Sequence, residues 1–149
     1  MQKFLSLSIA LGILFAAAQP VQARDTKHLI SIEEGLNTKD AESKLDGSVK
    51  FYFAGQQHPA VLEKLSTDVS NRKTNAVGKT DEVACQWAFL SALVAFEQNA
   101  KKLGANAVVN IVSYYKKDEM ASTTQFECHA GAIMAGVALK GDFVKISNK

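Results

Sequence analysis

The most regular hydrophobic pattern in the chain runs from Thr80 to Gly104. Ala84, Trp87, Ala88, Leu90, Leu93, Val94, Phe96, Ala100 and Leu103 recur at helical spacing, while Asp81, Glu82, Gln86, Glu97, Gln98, Lys101 and Lys102 supply the polar side. Thr80 stands where an N-cap hydroxyl is wanted, with Asp81 and Glu82 on the positive end of the helix dipole. Lys101 and Lys102 occupy the last turn, and Gly104 follows at the position that favours left-handed geometry. One long amphipathic helix is therefore expected as the spine of the domain.

Around it the pattern is that of strands. Thr26–Ile32 reads as a short strand and Ser48–Phe53 as a half-buried one, with Val49, Phe51 and Phe53 on one side. The polar stretch from Asn37 to Leu45 has room for one helical turn, and Asp46-Gly47 marks a turn. Gly55–Pro59 reads as a loop. From Leu65 through about Thr74, alternation at Leu65, Thr67 and Val69 predicts a solvated strand. Val61, Leu62, Leu65 and Val69 also fit a helix. Ala107–Tyr115 is a strand rich in Val and Ile, and Lys116–Ser122 a charged hairpin connection. Thr123–Leu139 reads as a second long strand bent at Gly131 or Gly136. Gly141-Asp142 then turns the chain into an edge strand at Phe143–Ile146. The expected architecture is a single α+β domain, the helix packed on an antiparallel sheet. Both long strands have adjacent apolar pairs (Val108 with Val109, Ile111 with Val112, Ile133 with Met134). A sheet covered on one face does not need these, so a second layer or a homo-oligomer interface is expected on the other.

The first 23 residues change what the composition means. Met1-Gln2-Lys3 is a short basic start, Phe4–Ala18 is apolar and uncharged, and Gln19-Pro20 breaks the run before Val21-Gln22-Ala23. The apolar run falls short of the roughly 20 residues that span a bilayer, and small residues precede Arg24 at the −3 and −1 positions. This is the pattern of a secretory signal peptide cleaved after Ala23. It predicts a periplasmic chain without a membrane anchor, since no cysteine follows the cut to take a lipid. Removing 23 of 149 residues leaves 126, enough for one core. The segment holds Lys3, so the net charge falls from +2 to +1. Near-neutrality argues against nucleic acid and anionic membrane surfaces as partners.

Export gives the two cysteines a meaning. In an oxidising compartment Cys85 and Cys128 favour a disulfide. Cys85 sits in the first turns of the helix beside Ala84 and Ala88. Cys128 shares a strand face with Phe126, Ala130, Ala132 and Met134, a face small enough for close helix packing. The alternative is a metal site that joins both thiols to His129 or His58. It lacks the paired spacing of a specific site, and no cofactor is otherwise implied. A catalytic Cys128–His129 pair is disfavoured because neighbours on a strand point to opposite faces.

Other candidate chemistry is sparse. His28 reads as a strand-side surface residue, and Glu127 with His129 as a solvated pair on one strand face. Glu33-Glu34 and Asp118-Glu119 are surface carboxylates. Tyr114-Tyr115-Lys116-Lys117 and Asn71-Arg72-Lys73 offer cations, with acidic residues close behind. Phosphate loops, GxGxxG, GxSxG, HExxH and EF-hand loops do not occur, and no enzyme class is indicated.

The run Lys102-Leu103-Gly104-Ala105-Asn106-Ala107-Val108-Val109-Asn110-Ile111 resembles the helix-to-strand junction of the YbjQ-like domains and of the related RcsF-like envelope stress sensors. With Ala84-Cys85 and the tail Glu127–Leu139, the chain is also similar to short exported proteobacterial proteins. Some of these bear the label of an excinuclease ATPase subunit. A P-loop, an ABC signature and zinc-finger cysteine pairs are all lacking here, against that activity. The resemblance spans about Thr80–Leu139 and implies one main helix on an antiparallel sheet, with ring-like assembly in some relatives. It also implies a heavy-metal role that only Cys85, Cys128 and His129 could fill. RcsF-like sensors have a lipid anchor and more cysteines, which this chain lacks. The function expected is a non-enzymatic periplasmic binding or interaction module held by Cys85–Cys128, with heavy-metal binding as the alternative.

Overall fold

In the computed structural model, which describes residues 23–147, one long helix lies against a curled, mixed sheet of six strands. The chain runs β1 (Thr26–Ser31), α1 (Ile32–Leu36), α2 (Lys39–Lys44), β2 (Lys50–Phe53), β3 (Val61–Asn75), α3 (Asp81–Leu103) and β4 (Ala107–Ser113). A single 3-10 turn (Tyr115–Lys117), β5 (Gln125–Ala130) and β6 (Met134–Ile146) follow. The signal peptide read over residues 1–23 lies outside the described residues, except for Ala23. Among the described residues no helix is long and apolar enough to cross a membrane.

Helix α3 forms where the periodicity placed it. The Thr80 hydroxyl accepts from the Val83 amide at 3.2 Å, and Gly104 closes the far end at φ 75°, donating its N–H to the carbonyls of Ala100 and Lys101. Alanines at 84, 88, 92 and 100 bring the helix close to the sheet, and Phe89 and Phe96 fill the remaining space. Phe89 stacks on Phe126 of β5 with centroids 4.0 Å apart, and Phe96 meets Phe143 of β6 edge-on at 5.3 Å. Ring pairs in such geometry add about 0.5–1.5 kcal/mol to their burial.

Strand β6 organises the sheet. β3 pairs along one edge of it, from Val61 opposite Ile146 to Asn75 opposite Met134. Its other edge is shared end to end: β5 pairs at Ala135 and Gly136, and β4 pairs from Leu139 to Val144. β1 extends the sheet beyond β5, and β2 extends it beyond β4.

The structure departs from the sequence expectations in several places. The sheet is mixed, because β2 runs parallel to β4. The chain returns between them through β3 and α3, a crossover long enough to restore direction. The long strand expected over Thr123–Leu139 is two strands, separated at Gly131, whose amide donates to the Met134 carbonyl at 2.8 Å. Gly141-Asp142 is not a turn, and Phe143–Ile146 is no edge strand, since β6 runs straight through both. Lys116–Ser122 folds back on the end of β4 through one antiparallel bridge, Ser113 with Met120, but does not pair β4 with β5, which lie end to end along the same edge of β6. Ile32 starts α1 and does not end β1, and the helical turn expected between Asn37 and Leu45 is α2. The helical alternative at Val61–Val69 is excluded by β3.

The Val108–Val109 pair is accounted for within the chain, its two side chains entering separate apolar clusters on the two faces of the sheet. Asn110 adopts φ 52°, and the β4–β6 register shifts between Val109 and Val112. This bulge lets Val108 and Ile111, three positions apart, both enter the core under α3. Val109 turns the other way and joins Ala107, Val144 and Ile146 in a small cluster against Tyr52. Ile133 and Met134 remain exposed.

Candidate functional site

On β6, Ala135, Val137 and Leu139 point into the core under α3. Gly136 and Ala138 therefore belong to the opposite, outer face of the sheet. Strand register sets their neighbours. Lys73 of β3 and His129 of β5 both pair with Gly136, and Asn71 pairs with Ala138. Paired residues share a face, so Lys73, Gly136 and His129 form one row across three strands with no side chain at its centre. This hollow row is the floor of a groove of about 460 Å³. Tyr115 and Lys116 from the 3-10 turn and Arg24 and Asp25 from the segment before β1 also line it.

His129 is held on every side. Its Nδ1 lies 2.8 Å from Asp25 Oδ1, and its Nε2 lies 2.7 Å from Glu127 Oε1. The Tyr115 ring stacks on the imidazole at 3.4 Å between centroids, 9° from parallel, and the Tyr115 hydroxyl donates to Asp25 Oδ2 at 2.9 Å. Lys27 Nζ sits 2.7 Å from Glu127 Oε2, and Lys116 Nζ 3.7 Å from Asp25. Carboxylate oxygens only accept, so full use of both imidazole contacts needs a proton on each ring nitrogen.

The electrostatics follow from these contacts. Hydrogen bonds from His129 and then Tyr115 hold the Asp25 carboxyl below its ordinary value. Burial pushes the Glu127 carboxyl up, but hydrogen bonds from Lys27 and His129 outweigh it, and the net shift is downward. Burial, and next the bond to Asp25, push the Tyr115 phenol up. The result is an imidazole held between two carboxylates that both favour the ionised form. Arg24 is anchored elsewhere, at 2.6 Å from Asp81 and 2.8 Å from the Gly131 carbonyl.

Cys85 of α3 and Cys128 of β5 form a disulfide with Cα atoms 5.8 Å apart, and both residues are fully buried between the helix and the sheet. Their sulfurs are bonded to each other, so the metal site that joined both thiols to His129 or His58 has no thiolate ligands. His129 faces away from Cys128, and His58 lies in the β2–β3 loop, 2.8 Å from the Pro59 carbonyl and tilted against Tyr52. Among the described residues no group of three or more His, Cys, Asp or Glu side chains is placed to hold a metal ion.

Glu127 and His129 share a strand face as expected, but the pair is not solvated. Glu127 is 9% exposed and receives a backbone-to-side-chain neighbour as well, its own amide donating to Ser113 Oγ. His28 stands on β1 with its side chain partly exposed, and its Nε2 lies 3.0 Å from Asp81 Oδ2, tying β1 to the start of α3. Glu119 pairs with Lys140 at 2.6 Å. Glu33 and Glu34 occupy the first turn of α1, exposed to solvent. The run Asn71-Arg72-Lys73 is divided by strand alternation, with Asn71 and Lys73 lining the groove and Arg72 lying beside α3. Asp25 and the stacking role of Tyr115 were not legible in the sequence. They reach His129 across 104 and 14 positions, with no spacing motif to join them.

No family model matches the chain, and no curated protein matches it.

Proposed function

We propose that the chain is an exported, non-enzymatic binding module whose ligand lies in the groove on the outer face of the sheet. The observation that supports this most directly is the hollow row Lys73–Gly136–His129, where a rigid sheet presents a recess walled by charged and aromatic side chains. Ligand sites are typically concave, preformed and about 300–1,000 Å³ in volume. The lining offers no serine, threonine or cysteine nucleophile. Both nitrogens of His129 are already engaged by carboxylates, which favours holding over proton transfer.

Export through residues 1–23 belongs to the same proposal, and the buried disulfide suits an oxidising compartment such as the periplasm. Kinship with the YbjQ-like and RcsF-like domains is likewise proposed, on the junction from Lys102 to Ile111.

The test is a two-dimensional NMR screen of the oxidised protein against small carboxylates, phosphates, sugars and amines. Saturable shifts should concentrate on the amides of His129, Gly136 and Ala138. Ligands that bind while leaving these three amides unmoved would refute the assignment.

A further inference from the structure

We infer that the groove takes a small organic oxyanion, a carboxylate or phosphate ester, with Lys73 as the residue that holds its charge. This rests on the groove being the binding site. Arg24, Lys73 and Lys116 line it against one carboxylate, Asp25. That carboxylate is already engaged by His129, Tyr115 and Lys116. Arg24 is committed to Asp81 and the Gly131 carbonyl.

Lys73 differs from these. Among the described residues its ammonium makes no hydrogen bond or ion pair, and the side-chain amide of Asn71, two positions along the same face, makes none either. A cation and a neutral donor thus stand together at the wall of a recess with the charge of Asp25 spent on other partners. An entering anion meets three ammonium protons and an amide N–H there. A concave site focuses the field of its lining charges, so the attraction exceeds that at a flat surface. The floor is narrow in reach: a Cβ built on Gly136 would stand 3.5 Å from Lys73 Cγ, in ordinary contact. An added methyl there occupies recess volume without displacing the backbone.

The experiment uses the oxidised full chain, with succinate and glycerol phosphate as probes and glycerol as the neutral control. Binding is followed by NMR titration at low and at high salt. The expected result is saturable binding of one or both oxyanions with shifts at Gly136. Lys73→Gln should weaken it at least tenfold, and Gly136→Ala and added salt should each weaken it as well. Binding of succinate alone or of glycerol phosphate alone identifies which oxyanion the groove prefers, and both support the inference. Equal affinity for Lys73→Gln and the parent, equal binding of glycerol, or no binding of either oxyanion overturns it. In those cases the groove itself is judged separately, by whether other ligands still shift His129, Gly136 and Ala138. Thermal unfolding of both variants verifies that the fold is retained.

Discussion

Cys128 and His129 are consecutive in the chain and look to opposite sides of β5. Cys128 is buried and bonded to Cys85 of α3, while His129 stands on the outer face between Asp25 and Glu127. The disulfide thus fastens from behind the strand that presents the histidine, without contributing an atom to the groove.

Removing that fastening should cost stability and little else. The bond closes a loop between residues 43 positions apart, which on the loop-entropy argument restrains the unfolded chain by about 4 kcal/mol. The double substitution Cys85→Ala with Cys128→Ala should lower the melting temperature by on the order of 10–20 °C. Urea unfolding of the parent with and without reductant measures the same quantity. An unchanged midpoint, with two free thiols counted, would contradict it.

The acid limb of stability should depend on Glu127. Its ordinary value is 4.5, and the native value lies below that because the bonds to Lys27 and His129 outweigh burial. A carboxyl depressed on folding stabilises fully above its unfolded value and loses that contribution as pH falls through the native one. The parent should therefore weaken progressively below about pH 4.5. Glu127→Gln keeps an acceptor for His129 but not the charge. It should be less stable by about 1 kcal/mol at pH 7, and the two proteins should converge in acid. Denaturation at a series of pH values tests this, and parallel curves down to pH 2 would refute it. Asp25 acts in the same direction from 3.8, more weakly because its side chain is 44% exposed.

The stack of Tyr115 on His129 should show as coupling. Tyr115→Leu and His129→Leu, separately and together, form a double-mutant cycle, with an expected interaction of about 1 kcal/mol. Tyr115→Phe separates the two roles of the phenol. It preserves the stack and removes the hydroxyl bond to Asp25, so it should speed amide exchange in the segment from Asp25 to His28. Exchange there that matches the parent would assign the anchoring to His129 alone.

How much of this was legible in the sequence depends on how local each cause is. Helix α3 was readable because its cap, its charged ends and its stop lie within one run, Thr80 to Gly104. The disulfide was readable because two cysteines allow one pairing. The grouping of Glu127 with His129 followed from strand alternation. The bulge at Asn110 was hidden, because a non-glycine residue at φ 52° leaves no mark in composition, and it puts Val108 and Ile111 on one face although a spacing of three would place them on opposite faces of a regular strand. Asp25 was hidden because its partner is 104 positions away. Gly141 carries a turn signal in the sequence, a glycine before an aspartate, yet lies within β6 because packing reserves the position for another purpose.

That purpose yields the last prediction, a contrast between two glycines of β6. A Cβ on Gly141 would stand 2.6 Å from Val108 Cγ1 and 3.2 Å from Ile111 Cγ1, with Phe96 behind them. All three neighbours are in the core, so none can swing into solvent. The cost is overpacking, about 1–3 kcal/mol, opposed only by the few tenths gained from restricting the unfolded chain. On Gly136 the nearest atoms are Lys73 Cγ at 3.5 Å and the Arg72 carbonyl at 3.6 Å, ordinary distances on the open face. Gly141→Ala should therefore destabilise clearly, whereas Gly136→Ala should be neutral or slightly stabilising, by up to about 1 kcal/mol. Calorimetric melting of the two variants separates them. Equal losses would mean that the groove floor is packed as tightly as the core, and a recess at Gly136 could not then admit a ligand.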